Sequence, residues 1–431
     1  MKKILFLFFI ITFFSFQTQA DEKLPDKSLT GCSYNINEKN LKEINYLKIK
    51  KIGVDVHNYR NWIVNSIRII TSRSRYISDT YKQRFKSNIS VEFENGTFCN
   101  FTGRVRHHGD EKDHISLTGN TIIQSIDVHL DNGNIRGITK FKLLRPNTRG
   151  NLENEILLTE LLRNLNFLAP RTMKVDVRVN EANSVMIFQE KAAKELLEFN
   201  KRREGPIFEG DERFFFRTVK KLPSNQKSNW DIGVVPLMNN SVKHLLARQV
   251  NTNIMQKSDG LNKMSFNSTT NLNLIYLYYS NKFQDGTNNF NYFDYDLDNT
   301  LLAMFNPENI IKLDTYNLLI QSSNSQHGLA VNNRKFFWNS IENYYEPINY
   351  DSNPQINLKR PVVTKPIYRL PISENFIKAF GILEEKLLNL NLKKISDNIS
   401  NSGIKMSEKE VSEKIKKIMN NLNIIKINYL N

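Results

Sequence analysis

Ile138-Thr139-Lys140-Phe141-Lys142-Leu143-Leu144 leads through Asn151 to Leu165 into Phe167-Leu168-Ala169-Pro170-Arg171-Thr172. The first stretch reads as a strand, and alternation puts Lys140 and Lys142 on one face. In the second, Leu158, Leu161, Leu162 and Leu165 fall at i, i+3, i+4 and i+7, the apolar stripe of an amphipathic helix. Beyond Pro170, Met173 to Val179 and Val185 to Gln189 read as two further strands around the polar turn Asn180 to Asn183.

Upstream, Ile89 to Phe93 alternates, Asn95-Gly96 is a hairpin turn, and Phe98 to Val105 returns. Ile122 to Leu130 also alternates, ahead of the turn Asp131-Asn132-Gly133-Asn134. Downstream of Glu190 the chain turns mainly helical, around Ala192 to Phe199, Val242 to Met255 and Asn309 to Gln326. A hairpin-like pair, Leu272 to Tyr279 and Phe290 to Asp294, interrupts it, and Phe376 to Leu392 and Ser407 to Leu422 close the chain as helices. Strands first and helices afterwards imply an α+β protein of two lobes. The expected division is a signal peptide at 1–20, an N-terminal extension at 21–87, a sheet-rich N-lobe at 88–190, a mainly helical C-lobe at 191–371 and terminal helices at 372–431.

The 431 residues are 40% hydrophobic and 24% charged, enough for a substantial core and incompatible with a collagen-like or wholly disordered chain. Lys2 and Lys3 precede the apolar run Ile4 to Phe16, and Thr18-Gln19-Ala20 offers a cleavage site. This is the pattern of a signal peptide, and no later stretch is apolar for long enough to span a membrane. An exported protein, periplasmic or extracellular, is therefore expected. The net charge of +16 favours acidic partners: phosphates, nucleotides, anionic polymers or membrane surfaces. Nucleic acid ranks low among them, because aromatics are not interleaved with the basic runs. Cys32 and Cys99 either form one bridge or are two unrelated buried thiols.

Three constellations carry chemistry. Glu155 shares the stripe of its helix, fifteen residues after Lys140, so a facing strand lysine can neutralise it. The same arrangement serves either as a structural ion pair or to hold a phosphate-gripping lysine. Gly103-Arg104-Val105-Arg106-His107-His108-Gly109-Asp110, with Asp113 and His114, matches no strong zinc spacing. It suits a phosphate-covering turn or an exposed basic hairpin. Finally, Asp259, Asn273, Asp296 and Asp298 follow the order of a proton-accepting Asp and Mg²⁺-holding Asn and Asp, or else ordinary turn and cap chemistry. A later set with Asn333, Asp351 and His327 lacks an Asp for the base and is set aside.

These residues resemble the spore-coat CotH-like family of atypical kinases. Arg106-His107-His108-Gly109, Ile138 to Leu143, the helix Asn151 to Leu165, Phe167 to Thr172, Phe188-Gln189-Glu190-Lys191, Asn273 to Tyr278 and Tyr295-Asp296-Leu297-Asp298 carry the likeness, across about residues 90 to 300. The resemblance implies a two-lobed protein-kinase-like fold that binds ATP with Mg²⁺ and phosphorylates protein hydroxyls. In that scheme Lys140 or Lys142 holds phosphates and Glu155 orients the lysine. Glu190 flanks the adenine, while the residues themselves, through the basic turn, make Arg104 and Arg106 the candidates to cover the phosphates. Asp259 accepts the proton, and Asn273 and Asp296 hold the metal, with Asp298 in reserve. A catalytically inactive envelope scaffold that binds an anionic ligand is the alternative.

Overall fold

The computed structural model describes residues 31–33, 47–149, 151–222, 245–281, 297–358 and 373–430. The signal-peptide pattern, the expected strand at 290–294 and Asp296 lie outside them. In chain order the first elements are β1 (Gly31–Ser33), β2 (Ile49–Val56), α1 (Tyr59–Thr71), β3 (Phe85–Phe93), β4 (Phe98–His107), β5 (Ile115–Thr118), β6 (Thr121–Gln124), β7 (Ile126–Leu130) and β8 (Lys140–Leu144). Next come α2 (Leu152–Asn164), β9 (Thr172–Val179), β10 (Ala182–Glu190), α3 (Lys194–Phe199), β11 (Ile207–Gly210), α4 (Arg213–Val219) and β12 (Ala247–Gln249). The chain closes with α5 (Asp259–Asn281), α6 (Asn299–Leu302), α7 (Pro307–Ser322), β13 (Lys335–Asn339), β14 (Tyr344–Ile348), α8 (Glu374–Leu388), α9 (Leu392–Asn401) and α10 (Glu408–Leu430).

Seven strands close on themselves in the order β4-β3-β2-β9-β10-β8-β7, and β7 pairs back onto β4. Every pairing is antiparallel except β2 with β9. The result is a closed barrel, which corrects the two-lobed protein-kinase-like fold: a closed sheet has no open small-lobe face to set against a helical lobe. The α+β character remains. Ile52, Val54, Ile89, Val91, Val105, Val128, Phe141 and Phe188 are fully buried in the barrel core. Seven strands enclose little more than their own side chains, so this interior is packed rather than hollow. Phe141 stacks on Phe188 with ring centroids 4.4 Å apart.

Strand β2 lies inside the span expected to be an extension. A register shift between Ile49 and Lys51 breaks its alternation, so the buried pattern does not show in the sequence. The Asn95-Gly96 turn is present, with Gly96 at φ +83°. Strand β1 joins β4 and sets Cys32 directly opposite Cys99.

Helix α2 is buried from Asn154 to Leu162, because it packs between the barrel and the helices α7 to α10. Ile156 to Leu165 thus share one core with residues 316 to 425, and the chain does not separate into two halves at Glu190. A second sheet, β12-β11-β13-β14, packs with α5 and α6. The expected strand Leu272 to Tyr279 is part of helix α5, whose buried Leu272, Ile275, Tyr276 and Tyr279 run at i, i+3, i+4 and i+7. The expected helix Val242 to Met255 is, over its described part, strand β12 followed by a 3-10 turn, Thr252–Gln256.

Candidate functional site

The strands that fill the barrel with apolar side chains turn a charged face outward. Across β4, β7, β8 and β10, Arg106, Asp127, Lys142 and Gln189 stand opposite one another in register, and Arg104, His129 and Lys140 form the next row. Alternation explains both faces: Val105, Val128 and Phe141 between these residues point inward. The charged face, the turn carrying His108 and Asp110, and the β11–β13 sheet enclose a cleft of about 670 Å³.

Asp127 is the hub of the cleft wall. It is 1% exposed and accepts from Lys191 Nζ at 2.8 Å, Arg84 Nη2 at 3.0 Å and Arg106 Nη2 at 3.4 Å. Burial alone would raise a carboxyl, but these cations hold it far below the usual range. Lys142 is 6% exposed and donates to the hydroxyl of Tyr350, with its ammonium 4.4 Å from that ring's centroid. Among the described residues no carboxylate lies within ion-pair distance of it. Burial, reinforced by nearby Arg149, pulls Lys142 down to about 7. Lys335 sits 4.2 Å from the same ring and bonds Glu209, which also holds Arg248. Burial and the neighbouring Lys142 lower Lys335 well below its ordinary value. Glu212 accepts from Asn332, and burial, aided by the charge of Asp110, pushes it up to about 8.

The turn at the rim is shaped by packing. Gly109 has φ +93°, and a Cβ there would lie 1.9 Å from the His114 ring. His108 and His114 meet edge to face at 5.0 Å, while His107 stacks on Trp62 at 4.0 Å, so the histidines do not converge. Asp110 accepts from Lys82 and, at 3.1 Å, from Lys220, tying the turn to α4.

Of the residues singled out in the sequence, Lys140, Lys142 and Arg106 line this cleft. Arg104 shares their strand face but pairs with Asp131 at 2.9 Å on the exposed side. Glu155 reaches the end of the charged row and accepts from Gln189 Nε2 at 3.0 Å. Gln189, in register with Lys142, takes the place beside the lysine that Glu155 was expected to fill. Burial pushes Glu155 up to about 7, opposed by Arg149, which pairs with Asp351 at 2.7 Å. Glu190 does not face the cleft. It binds Arg171 through both oxygens, at 2.9 Å to Nε and 2.5 Å to Nη2, at one end of the barrel. The Pro170-Arg171 and Gln189-Glu190 segments are thus matched by a buried ion pair.

Asp259 begins α5, exposed at its first turn, and does not line the cleft. Asn273 lies within the same helix and accepts the Ala247 amide at 2.7 Å. Asp298 caps α6 by accepting from Thr300 at 2.8 Å. Asn273 and one oxygen of Asp298 are thus engaged by backbone amides, and neither residue lines the cleft with Lys140 and Lys142. Among the described residues no group of three His, Cys, Asp or Glu is arranged to hold a metal ion.

Sequence reasoning missed Asp127, Glu209, Glu212, Lys335 and Tyr350, and quoted Lys191 in Phe188-Gln189-Glu190-Lys191 without giving it a role. Only Asp127 left a signal, sitting on the polar phase of its strand across from Lys142. The set-aside residues Asn333, Asp351 and His327 do meet: Asn333 Nδ2 lies 3.1 Å from His327 Nδ1, which is 2.6 Å from the Asp351 carbonyl. No family model matches the chain, and no curated protein matches it. Among the described residues no helix is long and apolar enough to cross a membrane.

Proposed function

We propose that this protein is exported and binds a phosphate-bearing anion, ATP in the first instance, in the cleft beside Tyr350. The observation that carries the reading is Lys142: a buried ammonium held by a phenol and lacking a carboxylate partner among the described residues. A buried cation without a counter-ion is costly, and an incoming anion relieves that cost. Lys140 lines the same cavity, and Lys335, Lys191 and Arg106, held in place by Glu209 and Asp127, add donors to its wall, which suits a phosphate with several oxygens. Mg²⁺ would arrive on the phosphate oxygens, since neither Asn273 nor Asp298 lines the cleft.

Transfer of the phosphoryl group to a protein hydroxyl is what the family resemblance implies. The positions of Asp259, Asn273 and Asp298 favour the alternative, an envelope scaffold that holds its anion without turnover. Thermal melting tests the binding: ATP with Mg²⁺ at one hundred times its Kd should stabilise the fold by about 2.7 kcal/mol. An unchanged melt with ATP, with and without Mg²⁺, would remove the proposal. Incubation with γ-labelled ATP and an envelope fraction then separates the two forms, label in protein marking the transferase and bound but intact ATP marking the scaffold.

We also propose the Cys32–Cys99 bridge. Directly opposed residues of an antiparallel pair have Cα atoms about 4.5–5.5 Å apart, within the span a disulfide needs. Thiol titration of the unfolded, unreduced chain should find no free thiol, and reduction should cost about 2–4 kcal/mol. Two titratable thiols would refute the bridge.

A further inference from the structure

Among the described residues, the phenyl and phenol rings of Phe216 and Tyr350 line the cleft together with the His108 imidazole. Phe216 and Tyr350 differ in what already occupies them. The Tyr350 ring has Lys142 and Lys335 ammonium groups at 4.4 and 4.2 Å, so it serves the cations. Phe216, on α4, is only half-buried, with Phe215 and Tyr76 against it at 5.0 and 6.3 Å, both steeply inclined, and with a single ammonium, that of Lys220, farther off at 5.9 Å from its centroid. Its position is fixed from outside the cleft: Tyr76, Phe215 and Val219 are buried around it. Lys220, one turn on, bonds Asp79 at 2.8 Å and Asp110 at 3.1 Å and pins the helix to the rim turn. The wall of a charged cavity thus presents a half-exposed aromatic ring, held by α4, on which Lys142 and Lys335 do not sit.

We propose that Phe216 is the platform on which the base of a bound nucleotide stacks, making the ligand a nucleotide rather than a bare polyphosphate. The inference rests on the phosphate reading of the same cleft and adds the second half of the ligand. Aromatic stacking is tolerant of base identity, because every base offers a π-face. The half-exposed ring accordingly selects for a base without choosing among bases. Glu190, which the family resemblance sets beside the adenine, is occupied by Arg171 and leaves that role open.

Calorimetric titration of the full chain with ATP and with inorganic tripolyphosphate separates the two halves. The wild-type chain should bind ATP about tenfold more tightly than tripolyphosphate. Phe216→Leu, which keeps the apolar volume, should remove that margin and leave tripolyphosphate affinity unchanged, and Phe216→Trp should restore it. Equal affinity of the wild-type chain for both ligands overturns the platform while leaving the phosphate site standing. So does a Phe216→Leu variant that weakens both ligands alike or neither. Failure of both ligands to bind the wild-type chain overturns the phosphate reading itself, and the platform with it.

Discussion

Arg171 and Lys142 are both buried cations at the barrel surface, 8% and 6% exposed, yet they are treated in opposite ways. Arg171 has a matched partner: Glu190 takes its fork through two oxygens, and the Arg136 carbonyl takes another donor at 2.5 Å. Lys142 instead meets one neutral side chain, Tyr350, through its hydroxyl and its ring. A closed pair of charges is a structural device, whereas a desolvated ammonium beside an open cavity awaits an anion. The contrast separates scaffold from site within one set of strands.

The comparison breaks most visibly at Glu190. Glu190→Ala leaves the Arg171 guanidinium buried without its carboxylate and should cost about 3–5 kcal/mol, read by chemical denaturation. A loss below 1 kcal/mol would show that the pair is no structural anchor. Lys142→Met should leave stability equal to wild type or slightly higher, since it removes an unpaired buried charge. The same variant should bind tripolyphosphate about 10–100-fold more weakly, the value of a charge-assisted hydrogen bond or two. Destabilisation of Lys142→Met by several kcal/mol would place Lys142 with Arg171 among the structural cations.

Protonation gives a finer contrast. Lys142 titrates near 7 in the fold against an ordinary value of 10.5, so between those pH values the unfolded chain holds the extra proton. Its contribution to stability therefore rises as pH climbs from about 7 toward 10.5. Glu212 has the opposite sign: held up at about 8 against 4.5, it makes the fold bind the extra proton, and its contribution falls as pH rises from 4.5 to 8. Denaturation midpoints across pH 5 to 10 should show the alkaline rise flattened in Lys142→Met and the acid-side slope flattened in Glu212→Gln. Profiles that superimpose on wild type would show that neither group is perturbed as described.

Local patterns of the barrel were legible and its closure was not. The hairpin at Asn95-Gly96, the shared face of Lys140 and Lys142, and helix α2 follow from turn chemistry and periodicity. Closure depends on β2 pairing in parallel with β9, more than a hundred residues away, and on a bulge that hides β2 from an alternation test. Leu272 to Tyr279 satisfied two periods at once. Leu272, Leu274, Tyr276 and Tyr278 alternate like a strand, while Leu272, Ile275, Tyr276 and Tyr279 form the helical stripe that tertiary packing selects. Misreading that helix misplaced Asn273, and with it the scheme that joined Asp259 to the strand lysines. Part of the cleft wall comes from β11, β13 and Tyr350 after β14, whose polar members carry no periodic mark. Lys335, Glu209 and Tyr350 gain meaning only from sitting across a cavity from Lys142.

Titration calorimetry of tripolyphosphate into the full chain at pH 6.5, wild type beside Lys142→Met, bears most directly on the anion site. The expected result is a saturable exothermic isotherm for wild type that weakens at least tenfold in the variant. Identical isotherms for the two proteins, or no binding to the wild-type chain, would contradict it.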